Sequence, residues 1–151
     1  MADPVVLGIG NWDRGDDAVG LLVIDELAAR DLPGVDLMPG DGDPGWMLDA
    51  WEGRSFSVVV DAMVTGAAPG TVVSFDASTT ALPASTRLSS SHALGAATSV
   101  ELARALGRLP KRLVVIGVEA DSVSVGSPLS PAVATAVGVA ADAVMEVLAD
   151  A

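Results

Sequence analysis

Strand-like and helix-like patterns alternate along the chain. Val5 to Ile9 is an unbroken apolar run, as expected of a strand covered on both faces. From Asp17 to about Ala29, Leu21, Leu22, Ile24 and Leu27 recur at helical spacing, and Pro33-Gly34 ends that helix. Val35 to Met38 reads as a short second strand. The loop Pro39-Gly40-Asp41-Gly42-Asp43-Pro44-Gly45 then leads to a short helix through Trp46 and Trp51. Phe56 to Val60 gives a third strand, and Thr71 to Phe75, introduced by Pro69-Gly70, a fourth. Ala77 to Ser91 is rich in Ser, Thr and Ala and predicts a loop with some mobility. A helix from about His92 to Leu106 precedes the fifth strand, Leu113 to Val118. Pro131 occupies the first turn of the last helix, where Val133, Ala136, Val137, Ala140, Val144 and Val147 repeat at helical spacing.

Buried strands alternating with helices imply βαβ units. The expected fold is α/β: a three-layer α/β/α sandwich around a mostly parallel five-stranded sheet. The short, proline-led segment Thr71 to Phe75 is the candidate antiparallel edge strand. No internal repeat or linker divides the chain, so residues 1–151 are expected to form a single domain.

Half of the 151 residues are apolar, but only Trp12, Trp46, Trp51, Phe56 and Phe75 are aromatic. The core must therefore be built from Val, Leu, Ile and Ala. Eight basic residues against 20 acidic ones give a formal charge of −12. Such a surface repels nucleic acid and anionic membranes, and suits either plain solvation or a basic partner. Cysteine is absent, which excludes disulfides, thiolate metal sites and a cysteine nucleophile. Met1-Ala2-Asp3-Pro4 lacks the basic-then-apolar pattern of a signal peptide. No apolar run is expected to be long enough to span a bilayer. These features predict a cytoplasmic protein, a monomer, with neither nucleic acid nor membrane as partner.

Candidate chemistry concentrates at three points. Asp17 follows the first strand, Asp61 closes the third, and His92, the only histidine, opens a helical stretch. Ligands of open parallel sheets bind beyond the carboxyl ends of the strands, so all three side chains could meet at one solvent-reachable edge. Two carboxylates and an imidazole suit a borderline transition metal such as nickel or zinc. Each residue also has an ordinary explanation. Asp16 and Asp17 could cap the helix, which accounts for one of the pair and leaves the other for chemistry; capping is assigned to Asp16. Asp61 could close a turn, although a carboxylate beside three valines costs several kcal/mol unless paired or metal-bound. His92 could be structural, and the helix end would keep its ring neutral. A Ser-His-Asp triad of Asp61, His92 and one of Ser89, Ser90 or Ser91 is conceivable, but no G-x-S-x-G elbow is present. Gly8-Ile9-Gly10 is a poor dinucleotide fingerprint, because Asp13 stands where a third glycine belongs. The glycines read instead as allowing a tight turn over the sheet edge.

The combination resembles the hydrogenase maturation proteases, endopeptidases that trim the large subunit of nickel-iron hydrogenases. Leu7-Gly8-Ile9-Gly10-Asn11 with Asp16-Asp17-Ala18-Val19-Gly20 looks like the family's opening motif. Val58-Val59-Val60-Asp61-Ala62 looks like its second acidic motif, and Ser91-His92-Ala93-Leu94-Gly95 like its histidine motif. Gly117-Val118-Glu119 and the closing helix fit its later part. The resemblance implies that Asp17, Asp61 and His92 form the metal-binding and catalytic site. It implies that the nickel arrives with the substrate, a large-subunit precursor that loses a short C-terminal peptide. It also implies a glycine-rich loop near the substrate after the second strand. The chain departs from the pattern at Asp41, where a second consecutive glycine is common, and at Trp12-Asp13-Arg14, where the family often has apolar residues. Two other functions fit the same residues: a noncatalytic factor that docks on the nickel-loaded precursor, and a zinc-dependent hydrolase of another substrate.

Overall fold

The computed structural model describes residues 4–81 and 96–150. In chain order the elements are β1 (Val5–Ile9), a 3-10 turn (Gly15–Ala18), α1 (Val19–Ala29), β2 (Asp36–Gly40) and α2 (Pro44–Trp51). They continue with β3 (Phe56–Met63), β4 (Val72–Asp76), α3 (Ala96–Ala105), β5 (Arg112–Glu119) and α4 (Pro131–Ala149). The five strands form one sheet in the order β2-β1-β3-β5-β4. All neighbours run parallel except β4, which pairs antiparallel with β5 at an edge, as its sequence predicts.

Burial follows position in the sheet. Every residue of β1 and β3 is buried, and all but the first of β5, because helices cover both faces of the central strands. The edge strands β2 and β4 are only half-buried. Pro39 is tolerated in β2 because an edge strand can spare a backbone donor. Alternate residues feed two cores. Val6, Val58, Val60, Val114 and Ile116 pack with α1 and α4. Leu7, Ile9, Val59, Leu113 and Val115 pack with α2 and α3. This is the expected three-layer arrangement.

Several expectations need correction. Asp17 does not open the first α-helix: residues 15–18 form a 3-10 turn and α1 begins at Val19. The third strand continues past Asp61 to Met63, because β5 pairs with it residue for residue as far as Glu119. Ala77 and Ser78 do not belong to a loose loop. The Ala77 amide donates to the Leu113 carbonyl at 2.8 Å, and the Leu113 amide donates to the Ser78 hydroxyl at 2.6 Å. The rest of the Ser/Thr/Ala segment from residue 82 onward, and the helix start expected at His92, lie outside the described residues. The expectation about apolar runs also fails. At 19 residues, α4 is long and apolar enough to cross a membrane. It lays one face on the sheet layer, burying Val133, Ala136, Ala140, Ala141 and Val144 there.

The glycines of the first motif have a different task from the one expected. Neither Gly8 nor Gly10 has a positive φ. A Cβ on Gly8 would collide with Ile24 and the Gly20 carbonyl, and one on Gly10 with the Asp17 carbonyl. A Cβ on Gly20 would collide with the carbonyls of Ile9 and Val60. Together they let the start of α1 press directly on β1 and β3. The turn that carries Asp16 and Asp17 is thereby held over the strand ends.

Candidate active site

The chain runs from β1 to β2 on one side of the sheet, then to β3 on the other side of β1. The crevice between β1 and β3 is thus the point at which the winding direction reverses, the usual ligand site in open α/β sheets. Pairing between β1 and β3 ends at Gly8 and Val60, whereas β3 and β5 stay paired three residues further. Asp61 is the first β3 residue beyond the β1 partnership. By strand alternation it shares the face of Val59, toward α2 and α3.

Asp17 comes to the same place from the β1 side. The Asn11 amide donates to the Asp17 carbonyl at 3.4 Å, and the Asp17 amide to the Arg14 carbonyl at 3.1 Å, which closes the loop on itself. Both carboxylates are buried, Asp17 with 1% and Asp61 with 0% of its surface exposed. The expected solvent-reachable edge is therefore wrong for these two residues. Burial pushes the Asp61 pKa well above the usual carboxylate range, and the charge of Asp17 pushes it further, outweighing a nearby backbone N–H of Ala62. Neither Asp61 oxygen has a hydrogen-bond partner among the described residues. A buried carboxylate in that condition has the chemistry of an oxygen ligand for a divalent cation or of a proton acceptor. Among the described residues no group of three His, Cys, Asp or Glu forms a metal-sized cluster. His92 lies outside the described residues.

The relatives share this fold. The sequence model described as "Hydrogenase maturation protease" matches residues 21–147. The chain belongs to that family. It is 31% identical over 148 residues to the Hydrogenase 2 maturation protease of Escherichia coli (strain K12), covering 95% of this chain and 89% of that one. Its fold is similar to that of the [NiFe] hydrogenase maturation protease HybD from Thermococcus kodakarensis, with a TM-score of 0.77 at 28% identity over 96% of this chain and 98% of that one. The hydrogenase maturating endopeptidase HybD from E. coli gives a TM-score of 0.78 at 25% identity over 98% and 93% of the two chains. The hydrogenase maturation protease model begins at residue 21, so the segment with Trp12, Asp16 and Asp17 lies ahead of its match.

In this hydrogenase maturation protease family member, two acidic residues that sequence reasoning misread or passed over hold the site's loops in place. Asp16 caps neither the turn nor α1, as neither has a side-chain cap. It is fully buried and accepts from the amides of Asp121 at 2.8 Å, Ser122 at 3.2 Å and Ser130 at 2.7 Å. It accepts also from the Ser130 hydroxyl at 2.9 Å. Burial alone would raise its pKa, but these four donors outweigh it and the net shift is downward. Asp16 therefore fastens the β1–α1 loop to the β5–α4 loop. Glu119, at the end of β5, accepts from the amides of Thr65 and Gly66 and from the Thr65 hydroxyl. It fixes the start of the β3–β4 loop. Its signal was present in the sequence: like Asp61, it is an acid closing a run of Val and Ile. Asp16 has no such signal, because its partners lie 105 to 114 residues away.

Proposed function

We propose that the protein is an endopeptidase that removes a C-terminal peptide from the nickel-loaded large-subunit precursor of a nickel-iron hydrogenase. Family membership supports a peptidase of hydrogenase maturation. The observation that carries the site assignment is the convergence of Asp17 and Asp61, both buried and electrostatically coupled, at the β1/β3 crevice. His92 is assigned as the third member. In support, α3 covers the face that Asp61 shares, and Ala96 packs beside Gly42 and Ile9 at the carboxyl end of β1. His92 stands four Cα-to-Cα steps before Ala96, a reach of at most about 14 Å.

Nickel belongs to the substrate in this reading. The two carboxylates and the imidazole would receive it, so that only a precursor already carrying its metal is positioned for cutting; the bound cation would also polarise the scissile carbonyl. Peptide hydrolysis adds water across the C–N bond. A carboxylate of the pair takes a proton from the attacking water and returns one to the departing amine. The raised pKa of Asp61 makes its carboxylate a stronger base than an ordinary one, as proton transfer from water requires. The enzyme acts in the cytoplasm, as a monomer, with the precursor as its protein partner.

The test is the precursor's mass before and after mixing with the protein. The nickel-loaded precursor is expected to lose one C-terminal peptide. Asp17→Asn, Asp61→Asn and His92→Ala should each slow that loss by at least about 100-fold. Binding without any loss of mass would make the protein a docking factor instead. Full cleavage by one variant would remove that residue from the site.

A further inference from the structure

Few large apolar side chains are exposed among the described residues, and two of them lie on adjoining loops beside the candidate site. Trp12 is 58% exposed and Val125 76% exposed. Trp12 follows Asn11 in the short loop whose two ends are joined at Asn11 and Asp17. Val125 lies in the β5–α4 loop, and the two loops are bonded side by side. The Gly126 amide donates to the Asp13 carbonyl at 2.7 Å, and Arg14 Nε donates to the Val123 carbonyl at 3.1 Å. Asp16 clamps the same two loops from beneath. An exposed tryptophan on backbone held this firmly needs no local order to be gained on binding. Tryptophans of this kind dominate the energetics of interfaces.

The charge around the pair is one-sided. Asp13 and Asp121 are exposed on the same two loops, while Arg14 is partly buried and turned onto a carbonyl. The whole chain carries −12. An acidic rim around an apolar anchor favours a partner segment of positive charge.

We propose that Trp12 and Val125 form a docking platform for a segment of the polypeptide substrate that carries an apolar anchor and net positive charge, lying next to the bond to be cut. The platform selects the substrate by sequence and charge, independently of its metal. This rests on the endopeptidase reading for the identity of the partner, but its failure is separable from failure of that reading.

The experiment measures both cleavage kinetics and equilibrium binding of the nickel-loaded precursor. Trp12→Ala should raise KM and Kd by about tenfold or more, with the loss falling on KM rather than kcat. Trp12→Phe should recover most of it. Leu106→Ala, at an exposed apolar residue beyond the far end of α3, is the control and should change neither. Raising salt from about 0.05 M to about 0.5 M should weaken wild-type binding, and the double variant Asp13→Asn with Asp121→Asn should flatten that dependence. Unchanged KM and Kd in Trp12→Ala, or wild-type binding indifferent to salt, overturns the platform even if cleavage is intact. Binding that is lost in Trp12→Ala supports the platform even if no peptide is ever released. A wild-type protein that neither binds nor cuts the precursor overturns both.

Discussion

Aspartates around one crevice meet opposite fates here. Asp16 is saturated with donors and its pKa is lowered; Asp61, coupled to Asp17, is starved of donors and its pKa is raised. A lowered pKa means that Asp16 contributes stability above the ordinary carboxylate pKa of about 4 and loses it as pH falls through its folded value. Asp16→Asn would set an amide N–H against at least one of the three backbone amides, whichever way the side chain turns. It should cost about 2–4 kcal/mol, read as a fall in the urea midpoint at neutral pH. An unchanged midpoint would show that the loop clamp is dispensable. For Asp61 the sign reverses. The folded protein holds its proton at pH values where the unfolded chain has released it, so stability falls as pH rises from about 4 through the raised folded pKa. Asp61→Asn has no proton to lose. Its stability relative to wild type should therefore improve as pH is raised from about 4 to about 8 in metal-free buffer, while its activity is lost. A stability difference constant over that range would contradict the raised pKa. The sequence singles out Asp61 because a carboxylate after three valines is anomalous by itself. It does not separate Asp16 from Asp17, because capping, loop clamping and metal ligation all use the same side chain. The distinction lies in partners more than a hundred residues away.

Elements were legible from periodicity, their contacts were not. All five strands and four α-helices fall close to where the apolar pattern sets them, because covered strands and amphipathic helices write different periods into the sequence. The extension of β3 through Asp61, Ala62 and Met63 was not legible, since it depends on β5 remaining alongside. Nor was the role of the glycines. Gly8 and Gly10 read as turn residues, whereas Gly8, together with Gly20, forms the notch that lets α1 touch the backbone of β1 and β3. Gly20→Ala should drive a methyl group into the Ile9 and Val60 carbonyls and lower stability by about 1–3 kcal/mol. Gly138, in the middle of α4, has nothing within 4 Å of the place a methyl group would take. Gly138→Ala should instead raise stability by about 0.5–1 kcal/mol, as expected for an unneeded helical glycine. Thermal melts of the two variants should move in opposite directions; a loss of stability in Gly138→Ala would mean that α4 has a neighbour on that side.

At the scale of the molecule, the fold brings the carboxyl ends of β1 and β3 together and covers one sheet face with α2 and α3, which leaves a crevice walled by the loops that follow the strands. The sequence predicts the sheet type because α/β alternation leaves few topologies open, and the antiparallel edge because Thr71 to Phe75 is short and proline-led. It does not predict how deeply the carboxylates are buried, because that depends on all of the loops closing at once. Burial bears on where the metal comes from. The chain has no cysteine, so any metal it holds is held by N and O ligands, a weaker set than the four-ligand sites of structural zinc. A proton also competes for Asp61, whose pKa is raised while the site is metal-free. The free enzyme should therefore purify with well under one equivalent of metal by elemental analysis. Chelator-treated enzyme, after the chelator is removed, should still cut nickel-loaded precursor, and nickel-free precursor should stay intact even with enzyme in excess. Prompt cleavage of the nickel-free precursor by chelator-treated enzyme would contradict the assignment of nickel to the substrate. The same buried carboxylates would then belong to a metal-independent peptidase, in which a proton shared between Asp17 and Asp61 does the work assigned to the cation.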